Sequence, residues 1–332
     1  MTPHEAKTTA TAADQPARLG VSADAPMTEA VRAVMARQYQ DMLANEAGCR
    51  TGKDMDAVHD MRVAIRRLRV AFRLFGGYYR RGTVRKLEQE LRAAGRALGA
   101  VRDLDVFNKS ASEYLQTVPK AQRSELDPLL TDWRGRRQKA QKQLISYLDG
   151  PDFKRLLNDL GAFLNTPGAG VEEKTPVPVA PFQVRHKLGS EVWRRYEAVR
   201  AYSVVIPGAA PLVLHALRIE CKYLRYILEF FVEVLGEETP ALIAQVISVQ
   251  DHLGDIQDAE VASRVLADFL AKAYRQQAGA ETPFAVDLNG TVAYLNHRRK
   301  ASQQLVATFP HTWKQMDSAK FRRRLGEAIA AL

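Results

Sequence analysis

Residues 58–76, VHDMRVAIRRLRVAFRLFG, and residues 214–232, LHALRIECKYLRYILEFFV, each set a histidine ahead of basic residues three, seven and ten positions on. The first set is His59, Arg62, Arg66 and Arg69, extended by Arg73. The second is His215, Arg218, Lys222 and Arg225. At 3.6 residues per turn, positions three, four and seven apart share one helical face. From His59 to Arg73 that face is about 21 Å long at 1.5 Å per residue. Guanidinium groups fork onto pairs of phosphate oxygens, so a row of them suits phosphate chemistry. A single phosphate or nucleotide would not need this reach; a linear polyanion would.

A charged helical face is ordinarily the solvated one. The flanks of these stripes argue otherwise. In the first segment Met61, Ile65, Leu68, Phe72 and Phe75 form a core stripe, and the basic residues fall about a quarter-turn away, by the helical angle of about 100° per residue. Val63, Val70 and Leu74 form a second apolar group beyond them. The second segment repeats the order: Leu217, Cys221, Leu224, Leu228 and Phe231, then the basic stripe, then Ile219, Tyr226 and Phe230. Unpaired cations between two apolar sectors are costly to bury. They must face carboxylates or line a wet groove that takes an anion. Asp103, Asp105, Asp258 and Glu260 offer partial pairing but are too few for both stripes.

Other residues bear on the same chemistry. Arg102, in ALGAVRDLDV, and the helix-four arginines Arg137 and Arg298 are expected to complete the groove. Asp103 and Asp258 are expected to orient arginines in preference to holding Mg²⁺. Gly99 and Gly254 are expected to permit close helix approach. The paired histidines admit a phosphohistidine or acid–base role, but no nucleophile–base–orienter set accompanies them. There is no Walker A motif and no GxGxxG, and no cofactor or metal is implied.

The bulk composition agrees with an anionic partner. The chain has 332 residues and a formal net charge of +10, from 48 Lys+Arg against 38 Asp+Glu. This balance points to nucleic acid, a membrane surface or polyphosphate. No apolar run is long enough for a membrane helix, and the N-terminus lacks a signal-peptide core. Two cysteines without a CxxC fit a reducing cytoplasm.

The elements that must position the stripes are helical and duplicated. Strand-like alternation is nearly absent. Matched blocks recur at an offset of roughly 155 to 161 residues: Tyr39 with Tyr196, His59 with His215, Gly99 with Gly254, Leu144 with Leu305. Four blocks in the same order imply four helices per half, near 27–48, 56–79, 83–115 and 124–148 in the first, with a short helix after Asp152. The expected organisation is a disordered tail over 1–26, a first bundle over 27–164, a Pro- and Gly-rich linker over 165–182 and a second bundle over 183–332. The segment FRRRLGEAIAAL at the C-terminus reads as a surface helix, and Cys221 as packing.

The doubled His-x-x-Arg-x-x-x-Arg/Lys-x-x-Arg motif, with LGAVRDLDV at 98–106 and LGDIQDAEV at 253–261, resembles the CHAD domain, the conserved histidine α-helical domain. The resemblance spans residues 27–321. It implies an all-α fold of two pseudo-symmetric four-helix bundles around a basic central groove or pore. It implies binding of inorganic polyphosphate without catalysis, and association with polyphosphate granules and their proteins. The family's ligand positions map onto His59, Arg62, Arg66, Arg69, His215, Arg218, Lys222 and Arg225. The halves depart from one another: Lys222 stands opposite Arg66, Glu229 opposite Arg73 and Gln257 opposite Arg102. The second half is therefore expected to contribute less positive charge. Some relatives carry a fused CYTH triphosphatase domain, but no ExExK signature is present. An RNA-binding protein is the competing reading, disfavoured because the stripes lack interleaved aromatics for base stacking.

Overall fold

The computed structural model describes residues 20–52, 54–171, 182–206, 208–278 and 287–332. Among these, every extended regular element is helical. The ten α-helices are α1 (Met27–Thr51), α2 (Met55–Phe75), α3 (Arg81–Thr117), α4 (Asp127–Asp149), α5 (Pro151–Asn165), α6 (Val184–Arg200), α7 (Pro211–Phe230), α8 (Thr239–Ala278), α9 (Asn289–Met316) and α10 (Ala319–Ile329). None of the described helices is long and apolar enough to cross a membrane.

Five of these helices, α1–α5, fall before the expected linker and five, α6–α10, after it. Each half thus carries a fifth helix, α5 and α10, beyond the four matched blocks. The C-terminal segment is a helix at the surface, with Lys320, Arg322, Arg323 and Glu327 exposed, and its other face packs into the core. Phe321, Leu325 and Ala328 on α10 are fully buried, and Phe321 stacks on Tyr196 of α6 at 5.6 Å between ring centroids. Only one side of its arginine-rich sequence meets water, because the three apolar residues fall at i, i+4 and i+7.

The stripe helices start and stop for local reasons. α1 ends at Gly52, whose φ of +65° is a left-handed cap that favours glycine. Asp54 then caps α2, accepting from the backbone N–H groups of Asp56 and Ala57 at 2.9 and 3.0 Å. α7 begins instead with Pro211 in its first turn, where no donor is needed. Both devices place a histidine within the first turn or two.

The expected tail lies outside the described residues as far as residue 19, and most of the expected linker, 172–181, does too. Residues 20–26 are not free tail. The Ala25 carbonyl accepts from Val184 N–H at 3.0 Å, and Met27 N–H donates to the Phe182 carbonyl at 2.9 Å. The start of α1 is thereby tied to the start of α6.

Two apolar clusters hold the halves together. The larger runs through α1, α2, α5, α6, α7 and α10, the first parts of α3 and α8 and the last parts of α4 and α9. In it, Phe75 of α2 meets Phe231, just past α7, edge-on at 5.6 Å. The smaller cluster joins the far ends of α3 and α8 with α4 and α9 through Trp133, Leu266, Leu270 and Tyr294. There Tyr114 stacks on Tyr294 at 4.6 Å, and Tyr294 donates to Ser110 Oγ at 2.9 Å. Gly290 permits the approach of α9. A Cβ at that position would lie 2.6 Å from Glu125 Cβ and 2.8 Å from its carbonyl carbon.

Candidate anion-binding site

Between those two apolar clusters the long helices carry polar residues. On α3, Val101 belongs to the larger cluster and Ala111 to the smaller; Arg102, Asp103 and Asp105 fall between. On α8, Ile256 and Leu266 bracket Asp258 and Glu260 in the same way. The basic stripes of α2 and α7 face this polar belt.

The helical projection agrees with the structure. Met61, Ile65, Leu68, Phe72, Phe75, Leu217, Cys221, Leu224, Leu228 and Phe231 are all at most 2% exposed. On the far side of the stripes Val70, Leu74, Tyr226 and Phe230 are also buried, while Val63 and Ile219 are half-buried. The stripe residues His59, Arg62, Arg66, His215, Arg218, Lys222 and Arg225 are half-buried, and Arg69 and Arg73 are exposed.

The two stripes meet. Arg66 Nε donates to the hydroxyl of Tyr226, 2.9 Å away on α7. The Lys222 ammonium is pushed down to about 8, chiefly by burial, then by Arg66, Arg218 and Arg69. Lys222 therefore senses cations from both helices. Arg62 pairs loosely with Asp103, at 3.4 Å, and both groups are more than a third exposed. The guanidinium of Arg62 is nonetheless held below its ordinary value by burial, with Arg66 and Arg102 adding to the effect and Asp103 and Asp258 opposing it. The Asp258 carboxyl is raised by burial, against the pull of Arg218 and Arg298. Asp103 and Asp258 thus sit among arginines, as expected, yet they leave most of the cations uncompensated.

The histidines differ in their surroundings. His59 is pushed below the ordinary imidazole value by burial and then by Arg102, so it is neutral near pH 7. His215 Nδ1 lies 2.7 Å from Gln257 Oε1, which accepts a hydrogen bond from it. Gln257 occupies the position matching Arg102, so each histidine has the corresponding residue of the next helix as a neighbour.

Three expected ligands stand apart. Arg137 is held by the buried Asp105, Nε to Oδ1 3.0 Å, and braces α4 against α3. Arg225 binds Glu229, which also takes Arg67 of α2 at 2.6 Å. Arg73 is exposed, with no ion pair among the described residues. Arg298 stays with the belt through Asp258 and Asp255. Its Nε is buried without a hydrogen-bond partner, as is that of Arg218.

Glycine is less critical here than expected. A Cβ at Gly99 would lie 3.8 Å from Arg62 Nε, and one at Gly254 would lie 3.7 Å from Arg218 Nε. Both are ordinary contacts, so the arginines lie over the glycines without requiring them. A pocket of about 340 Å³ between α8 and α9 is lined by Glu260, Ser263, Arg264, Ala267, Arg299 and Gln303, none of them a stripe residue.

Several participants were missed from sequence. Arg92 and Arg96 of α3 act on Arg69 and extend the basic surface past it. Their signal was present: both share the α3 face of Gly99, three and seven residues back. Tyr226 and Arg67 left no such signal, because each works through the other half. The Arg67 and Arg225 guanidiniums lie 5.5 and 5.8 Å from the Tyr226 ring centroid. Aromatics therefore do accompany the stripes, but Tyr226 is 2% exposed and closed to a base.

The comparisons with known proteins agree with this architecture. The chain is similar over 92% of its length to the crystal structure of the CHAD domain from the plant Ricinus communis, with a TM-score of 0.64, 24% identity and 93% of that chain covered. It is also similar to PptA from Streptomyces chartreusis, with a TM-score of 0.64 and 13% identity over 87% of this chain and all of that one. None of the curated proteins matches. The model of the CHAD domain matches residues 33–267, more than two thirds of the sequence, with both stripes inside the match, and the chain therefore belongs to the CHAD domain family.

Proposed function

We propose that this chain binds inorganic polyphosphate along the belt between α2, α3, α7 and α8, without turning it over. One observation carries the reading. Arg62, Arg66, Arg69, Arg218 and Lys222 converge from two helices, and Asp103, Asp258, Glu88 and Glu220 oppose them only in part. Such an excess of half-buried cations is tolerable when an anion completes it. The length of the stripe favours a repeating anion over a compact one. Arginine forks supply the hydrogen bonds, and neutral His59 supplies a further donor.

The absence of turnover rests on the histidines. Among the described residues neither His59 nor His215 is hydrogen-bonded to a carboxylate or to a nucleophile, so neither is prepared as a base. Association with polyphosphate granules in the cytoplasm follows as the setting in which such a module would act.

Titration calorimetry tests the reading. Long-chain polyphosphate should bind far more tightly than pyrophosphate or orthophosphate, with affinity falling steeply as salt rises, because bound counterions are released. Equal affinity for pyrophosphate and long chains would overturn it. Competition distinguishes RNA: polyphosphate should displace RNA readily, and RNA should displace polyphosphate poorly. Release of phosphate from the chain, lost in His59→Ala, would replace binding by hydrolysis.

A further inference from the structure

The basic stripes are built of arginines except at one position that matters chemically. Lys222 stands where the first half has Arg66, and it lies among Arg66 and Arg69 of α2 and Arg218 of its own helix. Glu220 faces the same region and partly opposes them. The ammonium is fixed over the Tyr223 ring, 5.3 Å from its centroid, and the same ring carries the Arg195 guanidinium of α6 at 5.5 Å. A primary amine is thus placed over an aromatic ring inside a group of guanidinium forks. An arginine there would stay protonated and inert; a lysine beside other cations is an activated nucleophile.

We propose that Lys222 is a site of acylation by small acyl phosphates, with the surrounding arginines holding the phosphate while the amine attacks the acyl carbon. The reaction balances without any further reagent. The Nζ lone pair forms a bond to the acyl carbon, and the bond from that carbon to the phosphate oxygen breaks. Phosphate leaves with the electron pair, and the nitrogen loses its proton to water. The product is an amide without charge, so one cation is removed from the middle of the stripe. Acylation would thereby weaken the grip on a polyanion, and a bound polyanion would block acylation. The inference rests on the anion-binding reading of the belt, but its readout is separate.

Depressed basicity supports the chemistry. At pH 8 about half of the Lys222 amine is neutral, against under about 1% for an ordinary lysine. The test is to incubate the full chain with acetyl phosphate at pH 8 and map acetylated peptides by mass spectrometry. Lys222 should carry roughly tenfold more acetyl than exposed Lys139, Lys142 and Lys320, a ratio discounted for the weaker intrinsic nucleophilicity of a less basic amine. Excess long-chain polyphosphate should suppress labelling at Lys222 and leave the exposed lysines unchanged. Lys222→Arg should remove the modified peptide while retaining the fold.

Equal labelling of Lys222 and Lys139 by acetyl phosphate overturns the proposal. Equal selectivity with the N-hydroxysuccinimide ester of acetate, which has no phosphate, overturns the guiding role of the arginines. If calorimetry shows no polyphosphate binding while Lys222 is still selectively acetylated, the proposed function fails and this inference stands. Polyphosphate binding without selective acetylation has the opposite meaning.

Discussion

The two halves carry one motif and use it differently. The first half offers Arg62, Arg66 and Arg69, with Arg92, Arg96 and Arg102 on the neighbouring α3. At the matching α8 positions the second half has Ile247, Asp251 and Gln257. Its α7 also exchanges Arg66 for Lys222 and Arg73 for Glu229. The difference is a division of labour. Glu229 binds Arg67 of α2 and Arg225 of α7, and Tyr226 binds Arg66. The second half braces Arg66 and Arg67 of the first, and on the proposed function the first would supply the greater part of the grip.

Charge reversal gives the largest expected effect. Arg66→Glu with Arg69→Glu should lower polyphosphate affinity by about 100-fold or more, because two charge-assisted contacts become repulsive. Arg218→Glu with Lys222→Glu should cost less, by about tenfold, since Lys222 is already partly neutral near pH 8. Calorimetry at fixed salt compares them, and equal losses would erase the division between halves. Glu229→Gln probes the support directly. Its carboxylate is 11% exposed and serves two guanidiniums, so removing the charge should destabilise the fold by about 2 kcal/mol. Urea denaturation would register it, while affinity should hold or rise because a negative charge is gone. A loss of affinity without a loss of stability would make Glu229 part of the binding surface.

The sequence reveals what repeats locally. Periodicity places the stripes between apolar sectors, and all ten residues assigned to the two core faces are buried, because each helix's own spacing determines its faces. What crosses between elements is hidden. Arg137 lies on α4 at the right position for the groove, but Asp105 on α3 captures it, and no local pattern encodes that pairing. Tyr226 falls in an apolar sector and looks like packing; its hydroxyl reaches Arg66, 160 positions away. The inner face of α10 was obscured by its arginines, although Phe321, Leu325 and Ala328 have the spacing of a buried stripe.

Tyr226→Phe tests that hydroxyl alone. The ring and its contacts remain, and one hydrogen bond to Arg66 is lost, worth about 1 kcal/mol. Affinity should fall by roughly fivefold at most, with stability changed by about the same free energy or less. An unchanged affinity would mean that Arg66 is positioned by its own helix, and the second half's support would reduce to the Glu229 pairs.

The effect of pH is the most diagnostic of the lysine that stands where the first half has an arginine. Burial and the neighbouring arginines push Lys222 down to about 8 in the folded chain, and a polyanion bound as proposed would favour its charged form. Between pH 7 and 9 its charged fraction falls from about 90% to about 10%, so affinity should fall by up to about tenfold over that interval. Lys222→Arg should flatten the profile. Folding stability should move the other way. The unfolded chain keeps its lysine protonated up to about 10.4, so between roughly 8 and 10.4 it binds more protons than the folded chain, and stability contributed by this group rises with pH. Affinity and stability diverging above pH 8 in the parent, and ceasing to diverge in Lys222→Arg, would assign both trends to one amine. A pH profile unaltered by the substitution would place the titrating group elsewhere in the belt, with His59, already neutral near pH 7, unable to supply it.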